Sequence, residues 1–167
     1  MPNANDFALP ILYAEHKAFH GEIRYNYEAM QTASVFGGYM FETGKELSFK
    51  AIPMIGYVFG KTNAIAPGLE MELAYKRFDF YSESEYLFDF SGKQNNYLYT
   101  YTELGYSFNK ALRAGYTSQR TRLYQSALNL QQGVFINYKI KQFEPGFKTY
   151  NLFTDSYFFV FTLNVKF

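Results

Sequence analysis

Polar and apolar positions alternate with a period of two along most of the chain, and helical spacing does not persist anywhere after about residue 20. The tail is clearest, with Tyr157, Phe159, Phe161, Leu163, Val165 and Phe167 on one face and Phe158, Val160, Thr162, Asn164 and Lys166 on the other. Ile23, Tyr25 and Tyr27 alternate with Glu22, Arg24, Asn26 and Glu28 in the same way, as do Leu69, Met71, Leu73 and Tyr75 with Glu70, Glu72, Ala74 and Lys76. Further along, Phe78, Phe80, Tyr86, Phe88 and Phe90 oppose Asp79, Tyr81, Glu83, Glu85 and Asp89, and Val134, Ile136, Tyr138 and Ile140 oppose Phe135, Asn137, Lys139 and Lys141. Each segment reads as a strand with its charges confined to one face.

This rhythm predicts ten strands, over 18–30, 32–42, 46–59, 67–75, 78–90, 96–108, 111–124, 131–141, 145–153 and 156–167. Merging segments around Phe78 or Thr149 would give eight, and promoting 7–16 to a strand would give twelve. Pro145 and Gly146 blur the ninth segment. Short connections at Glu42–Glu46, Lys76–Arg77, Asn109–Lys110 and Gln142–Glu144 alternate with mostly longer ones at Gly60–Pro67, Ser91–Asn95 and Gln125–Leu130. Taking the short set as periplasmic turns and the long set as extracellular loops puts both chain ends in the periplasm. Residues 1–17, interrupted by Pro10, form a periplasmic lead-in, either a short helix or an ordered segment, and 18–167 form the barrel.

Composition decides what the apolar face meets. The 167 residues include 17 Tyr and 19 Phe, more rings than the inside of one barrel of this size holds comfortably. On an outer face against lipid they need no interior room, and Tyr suits the interfacial girdles. The expected fold is therefore an all-β, transmembrane, antiparallel up-and-down β-barrel. Strand segments of roughly 9–13 residues suit a tilted crossing of the hydrocarbon.

Charge and cysteine content narrow the function classes. With 16 Lys and Arg against 15 Asp and Glu the net charge is +1, which offers no single-sign field for nucleic acid. No apolar run approaches the length of a membrane helix. With no Cys there is no disulfide framework, thiolate metal site or thiol nucleophile. Met1 to Pro10 lacks the charged and apolar regions of a signal peptide, which fits a cytosolic chain or a mature segment with a start Met added.

The alternation down to Phe167 resembles the C-terminal insertion signal of Gram-negative outer-membrane β-barrel proteins. The stretches RYNYEAM at 24–30, PMIGYVFGKTNAIAPGLE at 53–70, FYSESEYLFDF at 80–90 and QRTRLYQ at 119–125 look like an uncharacterised group of bacterial outer-membrane proteins. The resemblance covers most of the chain and implies a bacterial outer-membrane location. It also implies lipid and lipopolysaccharide as surroundings, and a barrel-assembly machinery that reads Phe159, Phe161, Leu163, Val165 and Phe167. It carries no activity, so it assigns no functional residue.

Chemical motifs are sparse. Gly56, Gly60, Lys61 and Thr62 fail the phosphate-loop spacing, since only three residues separate the glycines, and they continue a strand; the expectation is a strand end with Gly60 entering a loop. His16 and His20 are the only histidines; on one strand residues four apart stand about 13 Å from each other, so they could share a metal only if the segment were helical, and a hydrated barrel entrance is the expectation. Both would sit at the periplasmic start of the first strand, whereas omptin-type proteases and lipid A deacylases work nearer the outer surface. No metal, cofactor or catalysis is expected.

The informative charges are Glu70, Glu72, Asp79, Glu83 and Glu85, on the lumen faces of two consecutive strands. Pairing about the Lys76–Arg77 turn brings Glu70 close to Glu83. Arg24, Lys50, Arg113, Lys139 and Lys141 are the bases in reach, with Glu103 a further acid, and Arg120 and Arg122 joining if their strand shifts phase. The expected function is a passive one for a monomer, structural, binding or a narrow channel, with the lumen filled by a salt-bridge network. The alternatives are an outer-membrane enzyme acting on lipid or peptide and a soluble ligand-binding β-barrel.

Overall fold

A computed structural model describes residues 8–123 and 129–167, with side chains described outside 121–129. The expected Gln125–Leu130 loop and the side chain of Arg122 therefore lie largely or wholly outside the described residues. The fold is one antiparallel sheet in which sequence neighbours pair in turn: β1 (Ile11–His16), β2 (Phe19–Tyr25), β3 (Thr32–Tyr39), β5 (Leu47–Gly60), β6 (Ala64–Tyr75), β7 (Phe78–Asp89), β8 (Tyr97–Ser107), β9 (Leu112–Leu123), β10 (Asn129–Tyr138), β11 (Phe143–Tyr150) and β12 (Phe158–Val165). The twelfth strand, β4 (Phe41–Thr43), pairs with β5 beside β3.

Twelve strands correct the expected ten, and each addition has a physical origin. Residues 11–16, read as lead-in because Pro10 interrupts the pattern, pair with β2 from Ile11 opposite Arg24 to His16 opposite Phe19. β4 continues β3 in the same register, since Gly38 faces Met54 and Phe41 faces Ala51. Between these pairs Tyr39 stands opposite Pro53, which has no N–H to give, so the ladder lapses for two residues.

The first strand also corrects the position of the chain ends. Pro10 accepts a hydrogen bond from Tyr25 N at 3.1 Å, beside the β2–β3 connection, whereas Lys166 N donates to Gln142 O at 3.0 Å, beside a short turn. The described start and the C-terminus thus lie at opposite ends of the sheet.

Turn chemistry follows local sequence. Lys17 and Lys76 take positive φ in the tight β1–β2 and β6–β7 turns, and Asn109 Oδ1 accepts from the backbone N–H groups of Ala111 and Leu112 at 2.8 and 2.9 Å. Gly60 ends β5 at φ 122°, where a Cβ would sit 2.7 Å from Gln31 O, so the glycine needed at this strand end is structural.

The distribution of polarity is inverted relative to a water-soluble sheet. On β2, His20, Glu22 and Arg24 are buried while Phe19, Ile23 and Tyr25 are exposed; Arg24 is 2% exposed and Ile23 55%. Val134, Ile136 and Tyr138 on β10 point outward and Phe135 and Asn137 inward. On the last strand Phe159, Phe161 and Leu163 are exposed, as is Phe167 just beyond it, with Val165 partly covered. No helix among the described residues is long and apolar enough to cross a membrane, which leaves strands as the only elements that can.

The sheet curls until distant strands meet across its inner face. Arg24 of β2 reaches Glu83 and Glu85 of β7, and Tyr97 of β8 donates to the carbonyl of Glu28 at 2.7 Å. Part of the interior is apolar, where Phe36, Ile52, Met54, Val58, Ala64, Ala66 and Leu87 pack together with Met40 and Tyr97 against them. Among the described residues no ladder joins β12 to β1.

Candidate functional site: two charge knots inside the wall

Inward charges gather in two places. The first centres on Arg24, which strand alternation turns to the concave face between the outward Ile23 and Tyr25. Five carboxylates surround its guanidinium: Glu22 at 2.5 Å, Glu83 at 2.9 Å, Glu85 at 3.2 Å, Glu28 at 3.8 Å and Glu70 at 3.9 Å. The rings of Tyr27 and Phe36 lie 4.6 and 4.2 Å from the guanidinium carbon, adding cation–π attraction. Tyr27 also donates to Glu83 Oε2 at 2.7 Å.

From this knot a chain of contacts runs toward the short-turn end. His20 Nε2 is 2.7 Å from Glu22 Oε1, and its Nδ1 is 3.4 Å from Glu15 Oε1 on β1. Lys50 on β5 in turn donates to Glu15 at 2.8 Å and to the exposed Glu72 at 3.4 Å. In the β2–β3 connection, outside the strands, burial pushes the Glu28 carboxyl above its ordinary value against the opposing pull of the Ser34 hydroxyl. Burial likewise raises the Tyr27 phenol. Two carboxylate oxygens, Glu28 Oε2 and Glu85 Oε1, are fully buried with no hydrogen-bond partner among the described residues.

The second knot lies on β7, β8, β9 and β11. Arg113 forms ion pairs with Asp79 and with Glu103 at 2.6 Å, and Lys148 holds the other Glu103 oxygen at 2.8 Å. Tyr101 donates to Glu103 and contacts Lys148, whose ammonium lies 4.7 Å from its ring. Gly105 makes room for this arrangement, since a Cβ there would meet Asp79 Oδ1 at 2.6 Å and Arg113 Nε at 2.7 Å.

Of the charges singled out from the pattern, Arg24, Glu70, Glu83 and Glu85 meet in the first knot. Asp79, Glu103 and Arg113 meet in the second, while Lys50 and Glu72 pair between β5 and β6. Glu70 stands opposite Glu83 in register, as the Lys76–Arg77 turn requires. Lys139 does not join: it lies past the end of β10, exposed, and forms no ion pair among the described residues.

Sequence reasoning missed Glu15, His20, Glu22, Glu28 and Lys148. Glu22 and Glu28 stood on the charged face of the first strand segment, and their phase with Arg24 was the signal available. Lys148 was obscured by Pro145 and Gly146. The histidines were placed on one strand, but the Lys17–Ala18 turn separates them, so His16 is exposed on β1 and His20 is buried on β2.

No protein-family model and no curated protein matches this sequence. Among solved structures, a KdgM porin is similar at a TM-score of 0.66 and 14% identity, covering 94% of this chain and 89% of its own. A KdgM porin in complex with disordered oligogalacturonate gives 0.67 at 14% identity, with 94% and 90% covered. The likeness is one of fold: this chain has a porin-like, antiparallel up-and-down β architecture.

Proposed function

We propose that the chain is a small bacterial outer-membrane β-barrel with a passive role, its lumen narrowed by the two charge knots so that it excludes large solutes and passes at most small cations. The observation that carries this is Arg24, which joins β2 to β7 across the concave face at 2.9 and 3.2 Å while its neighbours Ile23 and Tyr25 face outward. Side chains that touch across the interior leave little open bore. Outward aromatics would be a liability in water and are at home in lipid and lipopolysaccharide.

The chain works as a monomer, without nucleic acid, and the assembly machinery reads Phe159, Phe161, Leu163, Val165 and Phe167. One of the similar porins is described with oligogalacturonate; here the acids around Arg24 outnumber the bases, which favours small cations over a polyanion. In planar bilayers the wild type is expected to give a small, cation-selective conductance, and a large, steady, unselective one would defeat the proposal. The lipid-facing side is tested separately by Leu163→Arg, expected to cost about 2–4 kcal/mol in vesicle refolding if the site lies near mid-membrane. Tolerance of arginine there would argue against a membrane-embedded wall.

A further inference from the structure

We propose that the inner faces of β2 and β6 form a binding site for a divalent metal ion of the zinc type, with His20 Nε2 and one carboxylate oxygen each from Glu22 and Glu70 as protein ligands. The inference goes beyond the passive role above and does not depend on conduction. One ligand atom from each residue lies within 4.8 Å of the other two. His20 and Glu22 share one face of one strand, and their facing atoms are 2.7 Å apart. Zinc bonds of about 2.0–2.2 Å set ligand atoms a little over about 3 Å apart, a spacing these side chains reach by small rotations.

The state of Glu70 points to a cation independently of this spacing. Its side chain is 11% exposed, its ion pair with Arg24 Nη2 at 3.9 Å is longer than a hydrogen bond, and its carboxyl hydrogen-bonds the Glu22 carboxyl, so that one proton lies between the two acids. Arg24 is already committed, with Nε on Glu22 and Nη1 on Glu83 and Glu85. Two carboxyl groups therefore meet beside an imidazole with only a shared proton between them, the position a divalent cation would take. Five acids around one guanidinium are an unstable balance of charge, and a divalent ion offsets two of them.

The imidazole is set up for this task. Nε2 donates to Glu22 Oε1 at 2.7 Å; when a metal takes that proton's place, Nδ1 can carry the remaining ring proton toward Glu15 Oε1 at 3.4 Å and hold the ring's orientation. On binding, the ion replaces any proton shared between His20 Nε2 and Glu22, and that proton passes to solvent. An imidazole with two carboxylates selects zinc-like ions over magnesium or calcium, which prefer all-oxygen shells.

The test uses the full chain, refolded in detergent micelles and stripped with chelator, titrated calorimetrically with Zn2+ and followed by absorption with Co2+. One ion per chain is expected. His20→Ala and Glu70→Gln should each weaken binding at least about tenfold, Glu15→Gln by about 10–100-fold, and His16→Ala should leave it unchanged. Where His20→Ala fails to fold, the wild-type Co2+ spectrum decides, because an imidazole–carboxylate set gives a visible ligand field that aqueous Co2+ lacks. Absence of stoichiometric binding, an aqueous-type Co2+ spectrum, survival of binding in folded Glu70→Gln, or loss in His16→Ala would each overturn the site.

Discussion

Arg24 and Arg113 each gather carboxylates from several strands, yet their surroundings differ in balance and in depth. Arg24 is the one guanidinium for five carboxylates, and its side chain is 2% exposed. Arg113, 23% exposed at its side chain, pairs with Asp79 and Glu103, and Lys148 pairs with Glu103, so two bases meet two acids and that knot is neutral. A neutral knot needs nothing further to hold together, whereas a knot with surplus acid depends on its single cation and on whatever else neutralises it. The same residue types thus make a self-sufficient brace in one half of the wall and a charge-hungry centre in the other.

The largest expected difference is between removals of the two arginines. Arg24→Met leaves buried carboxylates without their cation and is expected to cost about 3–5 kcal/mol in reversible unfolding from micelles. Arg113→Met should cost less, about 1–3 kcal/mol, because Lys148 stays on Glu103. Equal losses would break the comparison.

Acid removal sharpens it, since one substitution acts in opposite senses. Glu103→Gln strips both bases of a shared partner and is expected to destabilise by about 1–3 kcal/mol. Glu85→Gln removes surplus charge and an unpartnered carboxylate oxygen, so stability should change by less than about 0.5 kcal/mol or rise. A larger loss in Glu85→Gln than in Glu103→Gln would show that surplus acid is not the distinguishing feature.

How much of this was legible in the sequence follows from which residues the period of two reaches. Alternation over long, uninterrupted strands places Arg24, Glu70, Glu83 and Glu85 on one face, and the two-residue turn at Lys76–Arg77 fixes the register of the last three. The period fails at proline. Pro10 hid β1 and with it the pairing of Glu15 with His20, and Pro145 hid the phase of Lys148. Lys139 illustrates the opposite error, because a correct phase says nothing about where a strand stops. Nor can local pattern show that β2 and β7 meet across the interior, which depends on the curl of the whole sheet.

The smallest expected effect is a pH dependence confined to the acid-rich knot. Glu28 lies near Arg24, Glu83 and Glu85, and its folded-state affinity for a proton is raised. A raised acid contributes stability that is present in full below its unfolded pKa and is lost as pH rises through the folded value. Glu28→Gln should flatten that part of the stability profile above the ordinary carboxylate range. An unchanged slope in urea unfolding across that range would assign the dependence to another group.

The placement of β1 has a consequence of parity. With β4 counted as part of β3, eleven strands follow one another around the wall, so the first and the last run in the same direction. Any seam between β1 and β12 would have to be parallel, unlike every other ladder among the described residues. β2 runs opposite to β12 and could seal with it antiparallel, but its free edge is taken by Ile11–His16. Six residues thus decide the handedness of the join, and lifting them away would turn an odd wall into an even one of ten strands, the kind of number that lets an up-and-down sheet close on itself without an edge.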